Sequence, residues 1–314
     1  MNLRHLLSAA LFAGALGLCC QALTATADEK PTADPQQIAA TVDNEPIGVA
    51  EVEREVAQGL KGLKVEGEAL ARLKKHALEQ VIDRHLVLRF LQANKQAASK
   101  EDVDFALARL ARQLKAKDTT LAAHLKTIGM TEAEIRQELL WKLSWARYVE
   151  SHSTDEYLKK FFDLHRSDFD GTQLQVAHIL LKVPASDDTK LKEALDAAAS
   201  IKAEIDSGKL SFAEAAKKHS QAPTAKDGGN IGTIRRHEPM PEDFTKAAFA
   251  LPKGEVSPPV TSPFGVHLIQ VQEIAPGKRT WEDCREELRP AVTLYLFRWI
   301  AEKERKSAKI SYSQ

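Results

Sequence analysis

The chain is short of the residues that support the commoner kinds of site chemistry. Three cysteines occur in 314 residues, and two of them, Cys19 and Cys20, lie in the N-terminal apolar run. Without that run only Cys284 remains, so no intramolecular disulfide can form and packing must supply the stability. Cys284 lies among charged residues and reads as an incidental, partly buried thiol. No C-x-x-C occurs, and the ten histidines include no H-E-x-x-H pair, so the usual zinc spacings are missing. Asp227-Gly-Gly-Asn230 is Gly-rich but lacks the lysine and serine of a phosphate loop, and reads as a turn feeding a strand. Neither sign of charge is in excess, with Lys+Arg and Asp+Glu at 44 each, which removes the global electrostatic case for nucleic acid. No metal and no cofactor are expected.

The one long apolar run is at the start. Arg4 supplies a positive n-region, Leu6 to Leu23 an apolar h-region, and Ala25-Thr-Ala27 a small-residue cleavage site before Asp28. This three-part pattern predicts a signal peptide over 1–27 and an exported, periplasmic or otherwise extracytoplasmic, mature chain. A retained membrane anchor is the alternative. Leu18, before Cys19, is larger than the residue a lipidation site would place there.

At this length two domains fit. Residues 28–37 are polar and Pro-containing and read as a linker. Residues 38–171 open with a strand, a turn at Asp43-Asn44 and a return strand, then continue as helices. Leu70, Leu73, Ala77, Val81, His85 and Leu88 trace one apolar helix face. Thr131-x-x-Glu134 is a capping box opening a helix with Ile135, Leu139, Leu143 and Ala146 inward. Over 172–275 the periodicity changes to β-α-α-β-α-β-β, an α+β domain. Residues 276–314 follow with Thr280 as N-cap, Pro290 inside the helix, and a final Lys309 to Tyr312 strand. The apolar stripe of that helix must be buried, and packing onto the N-terminal helices is expected. Arg235-Arg236 and the 302–306 block read as solvated charge.

Five ordered motifs then carry a resemblance. V-A-H-I-L-L (176–181), F-A-E-A-A-K-K-H-S (212–220), D-G-G-N-I-G (227–232), the F-x-K-A-A-F-A-L run from 244 to 260, and F-G-V-H-L-I-Q-V (264–271) resemble a parvulin-type peptidyl-prolyl cis-trans isomerase domain. The wider layout resembles the SurA/PrsA-type secreted folding factors, with a mostly α-helical, chaperone-like domain formed by the two chain ends. The resemblance implies a proline pocket of Ile231, Met240 and Phe244. It implies paired core histidines, His178 and His267, with the Ser262 hydroxyl beside them. The implied activity is cis/trans isomerisation of X-Pro bonds, and the implied partners are unfolded exported polypeptides and proline-containing peptides. A homodimer is left open.

Two departures qualify it. The family carries an acidic residue or a cysteine in the loop after the second helix, where this chain has Ser220-Gln221-Ala222-Pro223. Ala222 thus stands in for the polar group, with Gln221 or Asp227 as substitutes. Phosphate-directed parvulins carry a basic cluster after the first strand, where this chain has Asp187 and Asp188. No preference for phosphorylated Ser/Thr-Pro follows. The readings that remain are an isomerase, a holdase chaperone with a weak or inactive parvulin domain, and an assembly factor for one client.

Overall fold

The computed structural model describes residues 37–60, 63–183 and 187–313. The expected signal peptide, nearly all of the linker, and Pro184 to Ser186 of the acidic loop lie outside them. Contacts divide the chain into one unit ending at Thr154 and rejoined by Pro290–Gln314, and a second unit, Asp155–Arg289. The boundaries read from periodicity, 171/172 and 275/276, bracket the larger sheet. The contact division falls further out. No helix among the described residues is long and apolar enough to cross a membrane.

In the first unit β1 (Ile38–Val42) turns back into β2 (Glu45–Gly48). Asp43 and Asn44 make the turn with positive φ of 49° and 72°, the conformation that Asn and Asp tolerate best among residues with a side chain. Ala40, Val42 and Ile47 pack on Val52, Val56, Ala77, Val81 and Leu86 of helices α1 (Val49–Leu60) and α2 (Gly67–Ala93). Helices α3 (Lys100–Lys115), α4 (Leu121–Ile128) and α5 (Glu132–Ser151) follow. The Thr131/Glu134 box is formed, each residue serving the other's backbone N–H.

The inward face of α5 differs from the expected one. Ile135, Trp141, Ser144 and Tyr148 are buried, Leu139 and Leu143 only half-buried, and Ala146 exposed. Trp141 and Trp145 meet Phe297 edge-on, with centroids 6.0 and 5.6 Å apart. These aromatic rings claim the buried face for themselves. His85 departs similarly, since it turns to Glu51 at 3.1 Å rather than into the core.

The 281–284 segment is a turn, so the last helix runs Arg285–Arg305 although Thr280 and Asp283 exchange their capping hydrogen bonds. Residues 302–306 are not plain solvated charge. Arg305 Nε donates to Asp83 at 2.5 Å, and its Nη2 lies 2.9 Å from Glu79. The strand at Ile310–Tyr312 pairs antiparallel with β1, giving the order β2-β1-terminal strand. Cys284 is fully buried rather than partly so, its thiol against the Phe169 carbonyl at 3.3 Å, and burial pushes its pKa up. An inert structural thiol results.

The second unit begins with helices α6 (Asp155–Leu164) and α7 (Arg166–Phe169). Then come β3 (Gln173–Lys182), α8 (Asp188–Asp206), α9 (Phe212–His219), β4 (Asn230–Ile234), α10 (Glu242–Phe249), β5 (Val260–Ser262) and β6 (Gly265–Ala275). From β3 onward this is the expected β-α-α-β-α-β-β order. The strands pair antiparallel as β4-β3-β6-β5. Ala177, Ile179, Val266 and Leu268 face α8 and α9, and the opposite set, Leu174, Val176, Ile269 and Val271, faces α10.

Two glycines let backbones approach where no side chain could fit. A Cβ at Gly229 would lie 2.4 Å from the His178 carbonyl oxygen, and one at Gly265, where φ is +131°, would lie 2.1 Å from that of Leu181. Both neighbours are backbone of the inner strand β3 and cannot swing aside. Gly265→Ala should therefore lower unfolding free energy by on the order of 3 kcal/mol through clash and strain together. A denaturant midpoint equal to that of the unmodified chain would refute it.

Candidate active site

His178 sits on β3 and His267 on β6, with Leu180 opposite His267 and His178 opposite Ile269. Residues 178 and 267 are thus diagonal neighbours on one face, within side-chain reach. Their Nδ1 atoms are 3.3 Å apart and the rings stack with centroids at 5.4 Å. His267 Nε2 lies 2.7 Å from Ser262 Oγ, which also accepts the Phe264 N–H at 3.0 Å. Two neutral tautomer assignments fit this chain, and each places one proton in each gap. Both rings are buried. Burial, and then the neighbouring His178, pushes the pKa of His267 down to about 4, while burial lowers that of His178. At neutral pH the pair is an uncharged hydrogen-bonding relay.

Phe244 is fully buried and edge-on to both imidazoles, at 5.8 and 5.3 Å. It forms a floor under the rings. Ile231, Met240 and Val260 are half-buried against the same cluster and leave an apolar wall part-open. All six residues singled out from sequence, His178, His267, Ser262, Ile231, Met240 and Phe244, thus belong to this face of the sheet or pack on the cluster that covers it.

The 220–222 loop is stitched to β3 just past His178. Ser220 Oγ accepts Leu180 N–H at 3.1 Å, Gln221 N–H reaches the Leu180 carbonyl at 2.8 Å, and Gln221 Oε1 accepts Lys182 N–H at 2.7 Å. Ala222 is buried. The Gln221 oxygen is therefore committed to the backbone, and Asp227 is exposed. Two residues beyond Ala222, Thr224 Oγ1 is buried and unpartnered among the described residues.

Residues 178–273 match the family model described as Rotamase: PPIC-type PPIASE domain. The chain carries a parvulin-type domain. It is also 27% identical over 293 residues to the chaperone SurA of Aromatoleum aromaticum, covering 90% of this chain and 66% of that one. To the chaperone SurA of Thiobacillus denitrificans it is 44% identical over 102 residues, 32% of this chain and 22% of the relative. Similarity to the foldase protein PrsA of Clostridium acetobutylicum is 26% over 267 residues, covering 77% and 76%. The chain thus spans about two thirds of the first of these relatives and about a fifth of the second.

Outside the parvulin domain, helices α1 to α5 enclose a groove of about 2180 Å³. Leu139, Leu143 and Ala146, the residues displaced from the α5 core, line it with Leu88, Ile128 and Phe105, which is 66% exposed. Many of its charges are paired with each other. Arg54 meets Glu134 at 2.8 Å, Arg147 meets Asp102 at 2.9 Å, and Arg84 meets Glu55.

Reasoning from sequence missed Arg236. It is buried and bound to Glu242 and Asp168, not solvated. Its only signal was an acidic residue six positions on, which no helical spacing favours.

The histidine pair sets a pH dependence. His267 takes its proton near pH 6.5 when unfolded but only near 4 when folded, so the unfolded chain binds more protons between those values. Stability should be complete above about pH 6.5 and fall toward pH 4, by on the order of 3 kcal/mol from this residue. Urea midpoints measured from pH 7 to 4.5 check it, with His267→Gln flattening the slope. A flat wild-type profile would contradict the buried neutral pair.

Proposed function

We propose that this chain is an exported folding factor that binds unfolded polypeptides and catalyses cis/trans isomerisation of X-Pro bonds without phosphate preference. The observation that carries the enzymatic part is the uncharged His178–His267–Ser262 relay above Phe244, bordered by the half-open wall of Ile231 and Met240. Rotation about a peptide bond faces about 18–20 kcal/mol from amide resonance. A site lowers that barrier by holding the twisted amide better than the planar one. The apolar wall takes the proline ring and excludes water, and the Ser–His–His relay holds the pocket floor in one orientation. Export rests on the N-terminal 27 residues. The SurA and PrsA names of the relatives support a folding role.

The client-binding part rests on the groove in the first unit. Many of its charges are internally paired and its apolar residues are open, which suits a mainly hydrophobic stretch of unfolded chain. Phe105→Glu in the full-length protein should weaken suppression of client aggregation, with wild-type suppression varying little between low and moderate salt. Undiminished suppression by this variant would remove the groove from the reading.

Ala222 favours a second reading, a holdase whose parvulin domain binds proline but turns it over weakly. Where an electrostatic group is central to a transition state its loss costs about 2.7–4 kcal/mol. Ala222→Asp should accordingly raise the isomerisation rate by up to roughly a hundredfold to a thousandfold, and His267→Ala should bring it to the uncatalysed value. Protease-free exchange measurements on X-Pro peptides decide between the readings. A wild-type rate no faster than spontaneous exchange leaves the holdase.

A further inference from the structure

The buried Arg236 guanidinium stands at the junction of three segments that build the proline pocket. Nη1 and Nη2 take the two carboxylate oxygens of Glu242 at 2.9 and 2.7 Å. Nη1 also donates to Thr245 Oγ1 at 3.1 Å, and Nε lies 3.4 Å from Asp168 Oδ1. Glu242 and Thr245 are on α10 either side of Phe244, and Thr245 is itself fully buried. Asp168 is on the short helix α7 that leads into β3 and His178. Arg236 follows β4, which carries Ile231, and the chain between Arg236 and Glu242 carries Met240. Arg235 N–H closes the base of this loop on the Glu238 carbonyl at 2.8 Å. The Arg236–Glu242 fork therefore clamps the two ends of a short loop on whose last turn Met240 stands.

We propose that Arg236 is a positioning residue of the pocket: its fork holds Met240 in place against the apolar cluster that contains Phe244. This rests on reading that face as a proline pocket and adds the group that sets its shape. A planar guanidinium satisfies two carboxylates and a hydroxyl at fixed angles, which a lysine ammonium, a point charge on a flexible stem, cannot do. Sites are kept within about 0.5 Å of their working geometry by supporting residues and fail when left about 1 Å too loose.

The test uses the full chain with methyl-labelled methionine. Met1, Met130 and Met240 are its three methionines, so Met240 gives a separate resonance, with Met130 in the other unit as internal control. In Arg236→Lys the Met240 methyl signal should shift or broaden while that of Met130 stays in place. Affinity for a blocked Ala-Leu-Pro-Phe peptide should fall roughly tenfold. In a Met240→Ala background the same change should have less than about a twofold effect, because the two residues act through one contact. Glu242→Gln serves as the second variant should Arg236→Lys fail to fold, with the same signature expected. An unmoved Met240 resonance, or fully additive losses of affinity, would overturn the proposal and leave Arg236 a purely structural group. If the wild-type chain binds no proline peptide, the pocket reading fails and the Met240 signal alone decides the positioning role.

Discussion

Ten residue pairs register β3 against β6, from Gln173 opposite Ala275 to Lys182 opposite Gly265, and that register is the constraint on which the site depends. A slip of one position on either strand would turn His178 or His267 to the opposite face, under α8 and α9. The imidazoles would then meet Ala198 and Phe212 in place of each other. Close backbone contacts fix β3 on both sides, to β6 at Leu181 and, through the segment entering β4, at His178. Gly229 meets the His178 carbonyl and Gly265 that of Leu181, at distances only glycine allows. Phe244 then fits edge-on to two rings at once, which is possible only while both point the same way.

Neutrality is the second consequence. An imidazolium in this position would have to be desolvated beside a second imidazole, and burial disfavours the charged form of each. The relay can therefore orient and exchange protons along Ser262, His267 and His178, but it brings no fixed charge to a bound amide. Its chemistry is that of shape and hydrogen-bond direction. That suits a reaction in which the main chain bond is twisted and none is broken.

Much of this was legible in the sequence because it depends on short-range rules. Short apolar runs mark the strands that carry His178 and His267, which the resemblance pairs, the T-x-x-E box marks a helix start to the residue, and Asp43-Asn44 marks the first turn. What was not legible depends on which of two competing surfaces a residue serves. Helix α5 offers an apolar stripe at Ile135, Leu139, Leu143 and Ala146, and a second at Trp141, Ser144 and Tyr148. Periodicity cannot tell which is core and which lines a groove, and the aromatic contacts to Phe297 decide it. Arg236 and Arg305 were misread for the same reason. An arginine in a polar stretch looks solvated until distant carboxylates, Asp168 for one and Asp83 for the other, are brought beside it.

The loop after α9 shows how far the pocket departs from a charged active site. The side chain at 222 is a methyl group, the neighbouring Gln221 oxygen is tied to Lys182, and the histidine pair is neutral. No ionised group therefore comes from the 220–222 loop or from the relay, and the buried charge of Arg236 is taken up by Glu242, Asp168 and Thr245. The groove of the other unit follows the same rule by pairing Arg54, Arg84 and Arg147 with carboxylates. Two surfaces built from unrelated elements thus each pair many of their charges internally and leave apolar area open. Apolar shape is then the main basis on which such surfaces can select a polypeptide, because charges already paired with each other discriminate little between sequences.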